Sequence, residues 1–323
     1  MKRLLLGALM LLVGGWGPAG AVGFQWATAP DPDDAPLQVA LWYPSGDTPV
    51  DTDVGPFEMR VTVNGALSGG RYPLIVMSHG TGGMALNAYG TAVALAEAGF
   101  VVAAVTHTGD NYRDQSAAFT RRNFVDRPRH VSRVIDFMLD GWAGHGSVDA
   151  ERIGVLGHSA GGATALIAAG GVADMEREVT FCKNNTADWG CRQARQRGVS
   201  VAQGSVPVTG LDQRIKAIVI AAPALTVAFG STGLTTVTVP VQLWVGAQDD
   251  VVRDAELVRT LLPAPPDFHL VANAGHYAYL SPCSEILARA APEICKDPPG
   301  FDRAGFLDDF HHAVAEFFGR NLR

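Results

Sequence analysis

The hexapeptide Gly157-His158-Ser159-Ala160-Gly161-Gly162 sets a hydroxyl among small residues, directly after the apolar run 153–156 and directly before an Ala-rich stretch. A serine in a GxSxG pattern at such a junction sits on a sharp strand-to-helix turn. Its Oγ projects above the sheet, beside a helix N-terminus that favours developing negative charge. A second glycine cluster, Ser78-His79-Gly80-Thr81-Gly82-Gly83, follows the apolar run 73–77. Acyl transfer to a serine needs two N–H donors aimed at the oxyanion, one from the residue after the nucleophile and one from a loop of this kind. Here those donors are expected to be Ala160 and Thr81. The cluster lacks the GK[ST] ending that a phosphate cradle requires.

A serine hydroxyl is a weak nucleophile until a base takes its proton, and the base must itself be oriented by a carboxylate. The chain order that goes with a GxSxG turn is serine, acid, histidine. Of nine histidines, only His269, His276, His311 and His312 lie late enough. His269 falls inside an apolar run, and His311 and His312 fall on the last helical stretch. His276, in Asn273-Ala274-Gly275-His276-Tyr277, follows the final strand and is the expected base. His79 and His158 read as packing or hydrogen-bonding residues beside the site. The acid should end the preceding strand, where the run 241–245 leads into Gly246-Ala247-Gln248-Asp249-Asp250-Val251-Val252. Asp249, followed by x-Val-Val, is favoured, and Asp250 is the alternative as a helix N-cap.

These residues need a scaffold that delivers them to one edge. Residues 24–28 and 37–43 read as an antiparallel pair separated by the turn-rich Pro30-Asp31-Pro32-Asp33-Asp34. From residue 72 on, the runs 73–77, 100–105, 153–156, 217–220, 241–245 and 268–271 are continuously apolar, as strands buried on both faces of a parallel sheet must be. Helical stretches are expected at 85–98, 128–139, 160–169 and 304–318. The alternation predicts an α/β protein with a mostly parallel, doubly wound sheet. Residues 171–213 lack a clear period and are too long for an ordinary connection, so they read as an inserted cap segment over the site.

The chain has 323 residues, 47% of them hydrophobic and 18% charged, enough for a large core in one domain. A net charge of -7, with no Lys or Arg run, removes the electrostatic footprint of a nucleic-acid binder. Met1-Lys2-Arg3, an apolar stretch and Ala19-Gly20-Ala21 have the form of a cleavable leader, so residues 1–21 are expected to be a signal peptide and 22–323 the mature domain. The apolar stretch is shorter than the ~20 residues of a membrane span. Export gives the four cysteines a meaning. Cys182 and Cys191 lie close together, as do Cys283 and Cys295; disulfides are expected rather than zinc, because no CxxC or HxxxH spacing is present. Sequence alone allows three connectivities, of which the two short-range pairings would staple the insertion and the segment beyond His276.

Taken together, the motifs resemble the α/β-hydrolase fold superfamily over nearly all of the mature chain. Leu41-Trp42-Tyr43-Pro44, the SHGTGG loop, Arg127-Pro128 opening a helix, and His276 to Cys283 as HYAYLSPC are similar to the bacterial proteins called predicted dienelactone hydrolases, relatives of the platelet-activating-factor acetylhydrolases. The resemblance implies a triad of Ser159, Asp249 and His276, and an oxyanion hole at Thr81 and Ala160. Within it, the chain has serine where dienelactone hydrolases use cysteine. It has Ala221-Ala222-Pro223-Ala224 where the acetylhydrolases carry their acid. The expected activity is exported hydrolysis of a small or lipid-like carboxylic ester through an acyl-enzyme, without cofactor or metal. An amidase or peptidase of the same fold, or a non-catalytic binding protein that retains it, are the competing readings.

Overall fold

The computed structural model describes residues 20–198 and 208–323. Its first half runs β1 (Ala21–Ala29), β2 (Leu37–Ser45), β3 (Val50–Val54), β4 (Phe57–Val63), β5 (Tyr72–Ser78), α1 (Tyr89–Glu97), β6 (Val101–Thr106) and α2 (Arg121–Asp136). Then follow β7 (Val148–His158), α3 (Ala160–Ala168), α4 (Met175–Asn184), α5 (Trp189–Gln196), β8 (Ile215–Ala221) and β9 (Val241–Gly246). The chain closes with α6 (Leu257–Leu261), β10 (Asp267–Val271), α7 (Glu285–Ala290) and α8 (Arg303–Asn321).

The ten strands form one sheet in the order β10-β9-β8-β7-β5-β6-β2-β1-β4-β3. From β6 to β10 every pairing is parallel, while β2 joins antiparallel to β1 and β6. Side chains alternate across a strand, so each strand serves two cores. Leu74, Val76, Ile153, Val155, Ile218 and Ile220 face one layer with Phe124, Val131, Leu166 and Ile167 of α2 and α3. Ile75, Met77, Val102, Val219 and Trp244 face the other, with Leu95 of α1 and Phe310, Val314 and Phe318 of α8. Burial on both faces is what excludes polar residues from the central strands and makes their runs continuous.

The structure departs from the sequence reading in four places. A β3–β4 hairpin extends the antiparallel edge; its alternating, half-exposed pattern gives no long apolar run. The helix expected from residue 85 begins only at Tyr89, because Ala85 N–H donates to Thr106 Oγ1 and Met84 N–H to Asn87 Oδ1, which hold a turn instead. Pro128 does not open a helix: α2 starts seven residues earlier and carries the proline inside. The cost of that interior proline is met by tertiary bonds from its neighbours, above all Arg127. β10 is the sheet edge and half exposed rather than buried on both faces.

The leader expected at residues 1–21 lies, but for its last two residues, outside the described residues. Between α3 and β8, α4 and α5 are joined by a Cys182–Cys191 disulfide, and a second disulfide links Cys283 to Cys295. Among the described residues no helix is long and apolar enough to cross a membrane.

Candidate active site

Ser159 stands between β7 and α3 with φ 56° and ψ -121°, a left-handed conformation that is strained for any residue with a Cβ. The flanking glycines explain how the turn closes. A Cβ on Gly157 would lie 2.0 Å from the Gly161 carbonyl oxygen, and one on Gly161 would lie 2.0 Å from that of Ser78. Ser159 N–H donates to Ala221 O at 2.9 Å, while Ser159 O accepts from Gly162 and Ala224. The strain is therefore held by backbone bonds to both sides, and α3 behind it is buried throughout.

His276 comes from the loop after β10 and Asp249 from the loop after β9. The structure brings both to Ser159: His276 Nε2 is 2.9 Å from Ser159 Oγ, and His276 Nδ1 is 2.8 Å from Asp249 Oδ2. The carboxylate can only accept, so Nδ1 carries the proton and Nε2 is free to accept from the serine hydroxyl. Asp249 Oδ1 in turn accepts from Val251 N–H and Val252 N–H at 2.9 and 2.8 Å. The x-Val-Val that marks Asp249 in the sequence thus fixes its side chain. Asp250 is exposed and caps no helix, since α6 starts only at Leu257. His269 of β10 stacks on Trp244 of β9, and His311 and His312 lie on α8.

His158 and His79 sit beside the site as neutral rings. His158 donates from Nε2 to His276 O at 3.0 Å, and burial together with the neighbouring His276 holds its pKa down to about 3. His79 donates from Nδ1 to Gly80 O and accepts from His107 N–H at Nε2, its pKa also held down to about 3 by burial and then by Arg127. The loop 79–83 closes on the serine: a Cβ on Gly80 would meet Ser159 Cβ at 3.1 Å, and Thr81 and Ser159 line one cavity. Ala160 follows Ser159 as the first residue of α3.

A family model described as platelet-activating factor acetylhydrolase, isoform II, matches residues 45–130, which include the 78–83 loop. Platelet-activating factor acetylhydrolase of Bos taurus is 29% identical over 142 residues, covering 31% of this chain and 32% of that protein. The matched stretch therefore spans about a third of the length of the curated relatives. The structure of a ferulic acid esterase from Streptomyces cinnamoneus superposes with TM-score 0.66 at 19% identity, over 96% of this chain and 93% of that one. The chain has the α/β-hydrolase fold. Within it, the likeness is to the dienelactone hydrolase and acetylhydrolase group. A dienelactone hydrolase from Anabaena variabilis also matches over 93% of this chain and 98% of its own, with TM-score 0.52 and 16% identity.

Ser159 opens on a cavity of about 450 Å³. Phe119, Met175, Phe181, Trp189, Leu225 and Val252 give it largely apolar walls, and both cysteines of the Cys182–Cys191 bridge lie in its lining. Glu178 and Asp254 also face it, and burial, reinforced by Asp254, pushes the Glu178 carboxyl up to about 8. Among the described residues no cluster of three or more His, Cys, Asp or Glu could hold a metal ion.

Sequence reasoning missed what lies beneath the 78–83 loop. Arg127 and Asp110, both almost wholly buried, pair at 2.6 Å below it. Ser78 Oγ is 2.8 Å from His107 Nε2, and His107 Nδ1 is 3.1 Å from His130 Nδ1. The acidic turn of residues 31–34, read only as a turn, clamps α2 through Asp31 with Arg129 and Asp34 with Arg122. Arg122, Arg129 and Arg133 of α2, which pair with the three aspartates of that turn, were the available signal.

Proposed function

We propose that this protein is an exported serine esterase working through an acyl-enzyme. The observation that carries the reading is the unbroken line Ser159 Oγ, His276 Nε2, His276 Nδ1, Asp249 Oδ2, with Ser159 at a strained turn opening on an apolar cavity. Ser159 Oγ attacks the ester carbonyl carbon while its proton passes to His276 Nε2, and Asp249 stabilises the imidazolium. The carbonyl oxygen becomes an oxyanion received by the N–H groups of Thr81 and Ala160. Collapse expels the alcohol, which takes the proton from His276. Water, deprotonated by the same ring, then attacks the acyl-serine and releases the acid.

The substrate reading follows from the cavity. Its aromatic and aliphatic walls suit an apolar acyl or alcohol group, and about 450 Å³ is within the range of small-molecule sites. The segment with α4 and α5 acts as a cap, with the disulfide holding its two helices in the wall. The relatives' names, an acetylhydrolase and a ferulic acid esterase, favour ester cleavage and differ in acyl group. Export is supported by the leader-like start and by two disulfides, which persist in oxidising compartments. A panel of nitrophenyl esters of increasing acyl length, with the matching anilides, tests the reading. Turnover of esters with an optimum in chain length is expected; preference for the anilides would assign an amidase instead.

A further inference from the structure

Arg127 is almost wholly buried, yet each of its three guanidinium nitrogens has a named partner. Nη1 donates to Asp110 Oδ2 at 2.6 Å, Nε to Thr164 Oγ1 at 3.0 Å, and Nη2 to Ser78 Oγ at 3.3 Å and to the His79 carbonyl oxygen. The partners of those partners reveal the design. Asp110 uses its other oxygen, Oδ1, to accept from Gly82 N–H at 2.9 Å. Thr164 Oγ1 donates a hydrogen bond to Ala160 O at 2.9 Å. One guanidinium therefore reaches the His79–Gly80 peptide through His79 O and the Thr81–Gly82 peptide through Asp110 and Gly82 N–H, the two peptides that flank the one carrying the Thr81 N–H. It reaches Ala160 as well, through Thr164. Thr81 and Ala160 are the two residues assigned to the oxyanion.

A buried ion pair is a poor way to gain stability, because desolvation offsets most of the attraction and apolar replacements are often neutral. What such a pair supplies, when every donor and acceptor is met, is fixed geometry. Oxyanion donors depend on that: their worth comes from pointing at the charge before it forms. The glycine loop cannot supply the rigidity itself, since Gly80, Gly82 and Gly83 restrict the backbone least.

We infer that Arg127 and Asp110 are positioning residues that set the two halves of the oxyanion site, the 79–82 loop and the start of α3, relative to each other. The inference rests on the serine-esterase reading. Neither side chain touches substrate. Asp110 acts through the Thr81–Gly82 peptide, and Arg127 through the His79–Gly80 peptide and, by way of Thr164, the Ala160–Gly161 peptide.

The test measures ester kcat and KM on the full chain, together with the inhibition constant of an alkyl boronic acid. Its tetrahedral adduct on Ser159 puts an oxygen where the oxyanion forms. Asp110→Asn is expected to lower kcat and weaken the boronic acid by a common factor of about 10- to 100-fold, at or below the loss from deleting a whole donor. KM should move by less than about threefold, as expected of an interaction made only in the transition state. Arg127→Lys, which keeps a cation for Asp110, should retain more of both quantities than Arg127→Met. Wild-type kcat and boronic acid affinity in folded Asp110→Asn, or a loss confined to KM, would overturn the assignment. Should Asp110→Asn not fold, Thr164→Val removes only the arm to Ala160. It is expected to cost about 3- to 10-fold in both readouts, a fraction of a full donor, and no change there overturns the assignment equally. Ser159→Ala separates the two claims. Hydrolysis surviving that change refutes the serine reading itself, whereas an inert Ser159→Ala beside a wild-type-like Asp110→Asn refutes only the positioning role.

Discussion

The floor and the outer wall of the cavity are built on opposite plans. The floor is the strand ends of β5 and β7, the 78–83 loop, the start of α3, and the loops after β9 and β10 that carry Asp249 and His276. Its polar groups are buried and joined in one hydrogen-bonded network, through Arg127, Asp110, Thr164 and His79. The wall is α4 and α5, two short helices with mostly exposed or half-buried faces, held by side-chain caps at Asp174 and Asp188 and by the Cys182–Cys191 bridge. The contrast reflects tolerance. Bond-making groups must be placed to a fraction of an ångström, which only a packed sheet and a saturated hydrogen-bond network deliver. An apolar wall recognises by area and volume, and a covalent staple on otherwise marginal helices is enough.

Changes in the floor should therefore destroy catalysis without touching affinity. The largest effect is expected for His276→Ala, which removes the proton acceptor and should lower kcat about a millionfold, as loss of a triad base does elsewhere. Asp249→Asn comes next at about 10⁴-fold, because an amide facing Nδ1 no longer selects the tautomer that leaves Nε2 free. Asp250→Asn, at an exposed position, should stay near wild type. A side-by-side kinetic assay with the reverse ranking of the two aspartates would move the acid.

That ranking also shows how much could be read from sequence. Ser159, His276 and Asp249 are legible because each stands at a strand end in a fixed chain order, and the elbow glycines are dictated by backbones so close that a Cβ would meet a carbonyl oxygen at 2.0 Å. The central strands were legible because burial on both faces leaves continuous apolar runs. The floor's support was not. Arg127, Asp110 and Thr164 are far apart in the chain, and a buried ion pair looks in sequence like any solvated arginine and aspartate. Pro128 misled for the same reason: local propensity placed a helix start there, and the tertiary bonds of Arg127 override it. The β3–β4 hairpin escaped because its alternation is short and half exposed.

The two disulfides sharpen the comparison, since one belongs to each region. Cys283–Cys295 closes the chain beyond His276, where Ser281 N–H and Oγ already bond Asn87 O and Gly90 N–H. Replacing both cysteines by serine should cost about 2–4 kcal/mol of stability and lower kcat. The same change at Cys182 and Cys191 should loosen the wall and raise KM with little change in kcat. Thermal unfolding with steady-state kinetics on the two double variants checks this, and a kcat loss confined to the Cys182 and Cys191 pair would reverse the roles of the two regions.

The pH dependence of stability has opposite signs in the two regions. In the floor, His79 and His158 are held to about 3 against an ordinary 6.5, so the folded chain binds fewer protons than the unfolded one below that value. Their contribution is present above about 6.5 and is lost as pH falls toward 3. In the wall, Glu178 is raised to about 8 from 4.5, so its contribution is complete below 4.5 and is lost as pH rises through 8. Unfolding midpoints against pH should show Glu178→Gln flattening only the alkaline side. Flattening on the acid side instead would contradict the assignment.

The central claim, that Ser159 is the nucleophile of the floor, is tested most directly by reacting the intact protein with a fluorophosphonate and mapping the adduct by peptide mass spectrometry. One adduct per chain on Ser159 is expected, abolished in Ser159→Ala and strongly slowed in His276→Ala. Labelling at another residue, or undiminished labelling of Ser159→Ala, would contradict the account.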